Sequence, residues 1–170
     1  MRFFTSSFAA LSVLVVAASA VATPSKPKPK GCDPHASGKD LVKRQEAAIA
    51  DYAHYMLDEK DPQTGFDLYV PEQYIQHAPS YPGDGRQVTL DYLVPFFKAN
   101  EVFFSKLKTY AGSGHAFMRY QVDVPPGGAS GLNGTFAGVN ILRFQGTCFV
   151  EHWELLQQVT GKETNPHSFF

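Results

Sequence analysis

The chain has 170 residues, a formal net charge of -1, 44% hydrophobic and 14% aromatic residues. That composition is globular, sufficient for one core, and it excludes a disordered chain. Balanced charge without a basic stripe gives no footprint for nucleic acid or for an anionic membrane surface.

Arg2 precedes an apolar, small-residue run from Phe8 to Val16, followed by Ala18-Ser19-Ala20 and Ala20-Val21-Ala22. This predicts a secretory signal over 1–22, cut at one of two small-x-small sites. The run is shorter than the roughly 20 apolar residues of a bilayer span, so no membrane association is expected after cleavage. Thr23 to Gly31 alternates proline with lysine and reads as a solvated linker. The domain is expected over 32–160, with 161–170 as a flexible tail.

Two cysteines are present, Cys32 and Cys148. An oxidising compartment favours a disulfide between them, and two free buried thiols are the alternative. Closing so long a loop stabilises by about 4 kcal/mol.

Ser37 to Asp40 has capping-box spacing, and Leu41, Gln45, Ala48, Ile49, Tyr52 and Met56 recur at helical intervals. Pro62 and Gly65 end that helix. A second, short helix is expected over 69–74 with Pro71 near its first turn, and a third over 89–99, kinked or split at Pro95. From Glu101 the pattern becomes strands: 102–110, a turn at 112–114, 115–124, then 136–144 and 148–158 joined across Gln145-Gly146-Thr147. Three helices followed by about four antiparallel strands define an α+β fold with helices on one face of the sheet. The Gly/Pro-rich segment 125–134 is a long loop ending in Asn133-Gly134-Thr135, both a turn signal and an N-glycosylation sequon.

Tyr74-Ile75-Gln76-His77-Ala78-Pro79, Asp84-Gly85, His115 opening a strand, Asn140-Ile141-Leu142-Arg143, and Glu151-His152-Trp153-Glu154 with Gln157 occur in that order. Together these segments resemble the SnoaL-like, polyketide cyclase-like proteins of the nuclear-transport-factor-2-like (NTF2-like) superfamily over roughly 41–158. The resemblance implies a curved sheet and helices forming a cone around an apolar pocket for a small-molecule ligand, often in a homodimer. It also implies cofactor-free and metal-free proton handling by an Asp and a His. His115 takes the histidine position, and the aspartate position falls on Asn140. Asparagine accepts no proton as a carboxylate does.

Strand alternation places Glu151, Trp153, Leu155 and Gln157 on one face and Val150, His152, Glu154 and Leu156 on the other. Likewise Asn140 aligns with Gly138 and Leu142, and His115 with Phe117 and Arg119. Two function classes follow. One is a secreted module that holds a small apolar or carbonyl-containing molecule, with Tyr74, Asn140, Glu151, Trp153 and Gln157 as candidate contacts. The other is a cyclase or isomerase using His115, with His77 or Glu151 as partner. A metal site from His77, His115 and His152 lacks ligand spacing, and none is expected.

Overall fold

The structure, a computed structural model, describes residues 31–170. The expected signal and all but Gly31 of the expected linker lie outside the described residues.

The first helix, α1 (Leu41–Ala53), runs directly into a π-helical turn at His54–Asp58. Gln45, Ala48, Ile49, Tyr52, Ala53, Met56 and Leu57 are its buried face. The capping box at Ser37 does not form. Asp40 is the N-cap and makes no side-chain capping bond, while the Leu41 N–H donates to the Gly38 carbonyl.

The second helix lies upstream of its expected place. It is α2, Pro62–Tyr69, and its N-cap Asp61 accepts the Thr64 N–H at 3.0 Å. Pro62 starts this helix, because at the first helical position its missing N–H satisfies no intrahelical bond in any case. Val70 is extended (φ -116°, ψ 113°), the conformation a following proline imposes, so Pro71 ends α2 where a helix was expected to begin. The chain then enters a two-residue strand, β1 (Ile75–Gln76), and α3, Arg86–Ala99, which continues unbroken through Pro95.

The remaining strands are β2 (Phe103–Gly112), β3 (His115–Val124), β4 (Gly134–Gln145) and β5 (Cys148–Val159). They form one sheet of five strands in the order β1-β5-β4-β3-β2. The fifth strand, beyond the four expected, is β1, which pairs parallel with β5. Two-residue turns fix the long-strand register: Ser113 and Gly114, at φ 51° and 74°, join β2 to β3, and Gly146-Thr147 joins β4 to β5.

Register then decides what faces the helices. Ala116, Leu142 and His152 form one cross-strand row of the inner face; Met118, Asn140 and Glu154 form the next; Tyr120, Gly138 and Leu156 the third. Around the first of these rows the core closes, with the Phe149 ring 4.9 Å from Tyr52 and 4.9 Å from Phe144. The three helices cover the inner face incompletely, and the gap between them is the cavity described below.

The Cys32–Cys148 disulfide is formed, across 116 residues of sequence. It has local company: Cys32 N–H donates to the Leu68 carbonyl, Thr147 N–H to the Asp33 carbonyl at 2.9 Å, and Gln45 Nε2 to the Gly146 carbonyl at 2.8 Å. The N-terminal segment is thereby fastened to the β4–β5 turn and to both α1 and α2. The last residues, expected as a flexible tail, fold back on the sheet. Arg119 Nη1 donates to the Phe169 carbonyl at 2.8 Å, and Lys106 Nζ lies 4.3 Å over the Phe170 ring.

Candidate functional site

The inner face carries a cavity of about 220 Å³ between α3, the π turn and the sheet. Its walls are mostly apolar: Leu93, Phe96 and Phe97 from α3, Phe104 from β2, Val122 from β3, Phe136 from β4. The polar lining is Ser80 and Tyr81 from the loop before α3, Tyr92 from α3, and Tyr120, Asn140 and Glu154 from the sheet. A few polar groups in an apolar concavity is the usual make-up of a small-molecule site. A dry cavity of about 150 Å³ holds a benzene ring, so this one takes a single ring with small substituents.

Glu154 is the group that the residue pattern had not singled out. It stands directly opposite Asn140 in the β4–β5 register. A carboxyl group is thus present beside the asparagine, supplied by the neighbouring strand. Removal from water disfavours its charged form and pushes its pKa up to about 7, with hydrogen bonding from Tyr120 opposing part of that rise. The carboxyl therefore exchanges its proton near neutral pH, as an acid–base group must.

The Tyr120 hydroxyl links the two strands. It donates to Asn140 Oδ1 at 3.3 Å and also hydrogen-bonds Glu154. One hydroxyl proton serves one acceptor at a time: Asn140 when Glu154 is protonated, the carboxylate when it is ionised. The Tyr120 ring needs Gly138 beneath it, because it occupies the space where a Cβ at 138 would stand. Burial raises the phenol pKa values of Tyr81 and Tyr120 well above normal, so both remain donors throughout the ordinary pH range.

Of the residues expected from sequence, Asn140 lines this cavity and Tyr74 a small chamber behind it. The others are elsewhere. The Ser113-Gly114 turn pairs Gly112 with His115, which turns Ala116 inward and His115 outward. His115 Nδ1 there meets the Ser113 carbonyl at 3.0 Å. On the same outer face Glu151 is engaged by Arg143 and by His77 Nε2 at 2.8 Å, and the His77 ring stacks on Trp153 at 4.7 Å. Arg143 first, then His77, holds the Glu151 carboxyl below its usual range, opposite to what an acid at neutral pH needs. Gln157 is exposed on this face. The structure therefore gathers His77, His115, Glu151 and Trp153 together, but on the far side of the sheet from the cavity. Among the described residues no group of three His, Cys, Asp or Glu side chains is placed to hold a metal ion.

No model of a known protein family matches this chain, and no curated protein matches it in sequence. Solved structures do match in fold. A candidate polyketide cyclase from a Silicibacter species superposes with a TM-score of 0.57 at 10% identity, covering 68% of this chain and 90% of its own. A candidate SnoaL-like polyketide cyclase from a Jannaschia species gives 0.56 at 7% identity, covering 71% and 90%. The candidate hydroxylase AclR from Streptomyces galilaeus gives 0.53 at 14% identity, covering 68% and 90%. The fold is thus the SnoaL-like form of the NTF2-like fold, an α+β cone with its cavity on the concave face. At these identities the likeness speaks to fold alone.

Proposed function

We propose that this protein is a secreted, cofactor-independent pocket protein that binds a small single-ring carbonyl compound and moves protons on it, with Glu154 as the acid–base group. The observation that carries the reading is a carboxyl of raised pKa facing Asn140 in an apolar cavity. Ionised Glu154 takes a proton from the carbon next to the carbonyl. The enolate oxygen that forms is met by the Tyr81 hydroxyl, which makes no hydrogen bond to another described residue and stays protonated. Such proton transfer is shared by isomerisation and by intramolecular aldol closure. Secretion is supported by the signal-like segment over 1–22 and by the disulfide. Asn133, exposed at the end of the loop whose Leu132 lines the cavity, is the proposed glycan site.

The test uses cyclohexanone, one ring with exchangeable α-hydrogens. In D2O the protein is expected to accelerate α-hydrogen exchange, read by proton NMR, and Glu154→Gln is expected to lower that rate about 100-fold. Exchange equally fast in the Gln variant removes Glu154 from the role. Cyclohexanone that binds without exchange in either protein leaves binding alone as the function.

A homodimer through the outer face is part of this proposal. Tyr110, Phe117, Ile141 and Trp153 align in one cross-strand row there, and Tyr110 and Leu155 are 58% and 61% exposed. Sedimentation equilibrium should show a dimer that Leu155→Glu weakens; a monomer at all concentrations contradicts it.

A further inference from the structure

Behind Asn140 lies a second, smaller chamber of about 30 Å³, sharing Met56, Leu57, Tyr81, Leu93 and Asn140 with the cavity wall. Tyr52, Tyr74, Thr89 and His152 complete its polar lining, and the Thr89 hydroxyl is already engaged by the Gly85 carbonyl and Gln76 Nε2. The state of His152 follows from its partner. Gln76 Oε1 accepts the Ala78 N–H at 3.1 Å, which identifies that atom as the amide oxygen, and His152 Nδ1 lies 2.8 Å from it. Nδ1 therefore carries the hydrogen and donates, and Nε2 keeps its lone pair. Burial, with His77 adding repulsion, lowers the His152 pKa to about 4, so the ring is neutral at neutral pH.

His152 is 6% exposed, yet Nε2 has no hydrogen-bond partner among the described residues, and neither have the hydroxyls of Tyr52 and Tyr74. One acceptor and two donors thus border the chamber without a protein partner, and polar groups on so enclosed a surface take a hydrogen-bonding guest. One small molecule that both donates and accepts satisfies all three. A single water needs roughly 10–15 Å³ of such volume, whereas a one-ring organic molecule needs about 150 Å³. The size of the chamber therefore selects water.

We propose that the inner chamber is a binding site for one water molecule, held by His152 Nε2 and the Tyr52 and Tyr74 hydroxyls, and that this water is a reactant presented past Asn140 to a bound carbonyl carbon. The inference rests on the cavity being a carbonyl site with Glu154 as its acid–base group. In the step, the water oxygen bonds to the carbonyl carbon and its proton passes to His152 Nε2. The C=O π pair moves to the carbonyl oxygen, which takes the proton of protonated Glu154. The product is a geminal diol. Reversal after the diol reorients returns a proton from His152 to the departing hydroxyl and one from the diol to Glu154, and the carbonyl oxygen has been exchanged. A substrate whose conversion takes up or releases water is the class this arrangement fits.

Cyclohexanone separates this inference from the reading it rests on. In H2¹⁸O the protein is expected to accelerate ¹⁸O entry into the carbonyl, read by mass spectrometry. His152→Leu should cut that acceleration about 100-fold while α-hydrogen exchange in D2O persists, which also shows that the variant is folded. His152→Gln serves where the Leu variant does not fold. Oxygen exchange at the buffer rate, or unchanged in the His152 variant, alongside intact α-hydrogen exchange overturns the water site and leaves the carbonyl reading standing. Absence of α-hydrogen exchange in the wild type removes both. A crystal structure of the wild-type protein should show an ordered water within hydrogen-bond distance of His152 Nε2; a protein group bonded to that nitrogen overturns the proposal.

Discussion

Glu154→Gln is expected to make the protein more stable above pH 7 while removing its proton-transfer activity. The Glu154 pKa is about 7 in the folded chain against an ordinary value of 4.5. Between those values the folded state binds the proton and the unfolded state releases it, so stability falls as pH rises through this window. Below about pH 4.5 both states are protonated and nothing is lost. Above pH 7 the full penalty for a buried carboxylate is present. It is about 2 kcal/mol, discounted because part of the carboxyl borders an open cavity. Glutamine never ionises and escapes it. Thermal melts should show a gain of roughly 5 °C for the variant at about pH 8 and almost none at about pH 4. An equal gain at both pH values would point to packing, and a loss at pH 8 would refute the account.

Breaking the disulfide is expected to cost more. The bond closes 116 residues of chain, a loop for which unfolded-state entropy alone is worth about 4–5 kcal/mol. That is a large share of the 5–15 kcal/mol that holds a domain folded. The hydrogen bonds from Asp33, Gln45 and Thr147 around it form in the folded state whether or not the sulfurs are joined, so they do not replace this constraint. Urea unfolding of the Cys32→Ala, Cys148→Ala double variant should show a lower midpoint, and wild type in reductant should move toward it. An unchanged midpoint on full reduction would contradict this, because it would mean that the crosslink takes almost no entropy from the unfolded chain.

Much of the fold could be read along the chain because its β-strands are long and regular. The alternation from His115 to Val124 and the glycine turns at 114 and 146 predict the hairpins within a few residues. The helices near Pro62 and Pro71 were harder. A proline opens a helix as readily as it ends one, and only the Asp61 cap bond to Thr64 tells which. Two residues of β1 carry no period at all. The site shows a different limit. Parity placed His152 and Glu154 on one face of β5 and Trp153 on the other, and the structure keeps that division. Which face is concave, however, depends on where the helices pack, and the resemblance drew attention to His115 and Trp153. Those two lie outside, while Glu154, one residue beyond Trp153, lies within. Nothing local marks Glu154 as a group of raised pKa, since its burial comes from α3 and from loop residues far away in sequence.

His152 and Glu154 also differ in the direction their surroundings push them. Burial holds His152 neutral by lowering its pKa and keeps Glu154 protonated up to neutrality by raising its pKa. Two proton-handling groups two residues apart on one strand, His152 neutral and Glu154 divided between acid and carboxylate near neutrality, suit chemistry on an uncharged carbonyl compound better than on an anion.

The measurement closest to the central claim is the titration of the Glu154 side-chain carboxyl carbon, followed by carbon-13 NMR and assigned by comparison with the Gln variant. The account predicts a midpoint near 7. A midpoint at the ordinary 4.5 would show a carboxylate that is solvated and ionised at neutral pH, and the cavity would then have no acid–base group of the kind proposed.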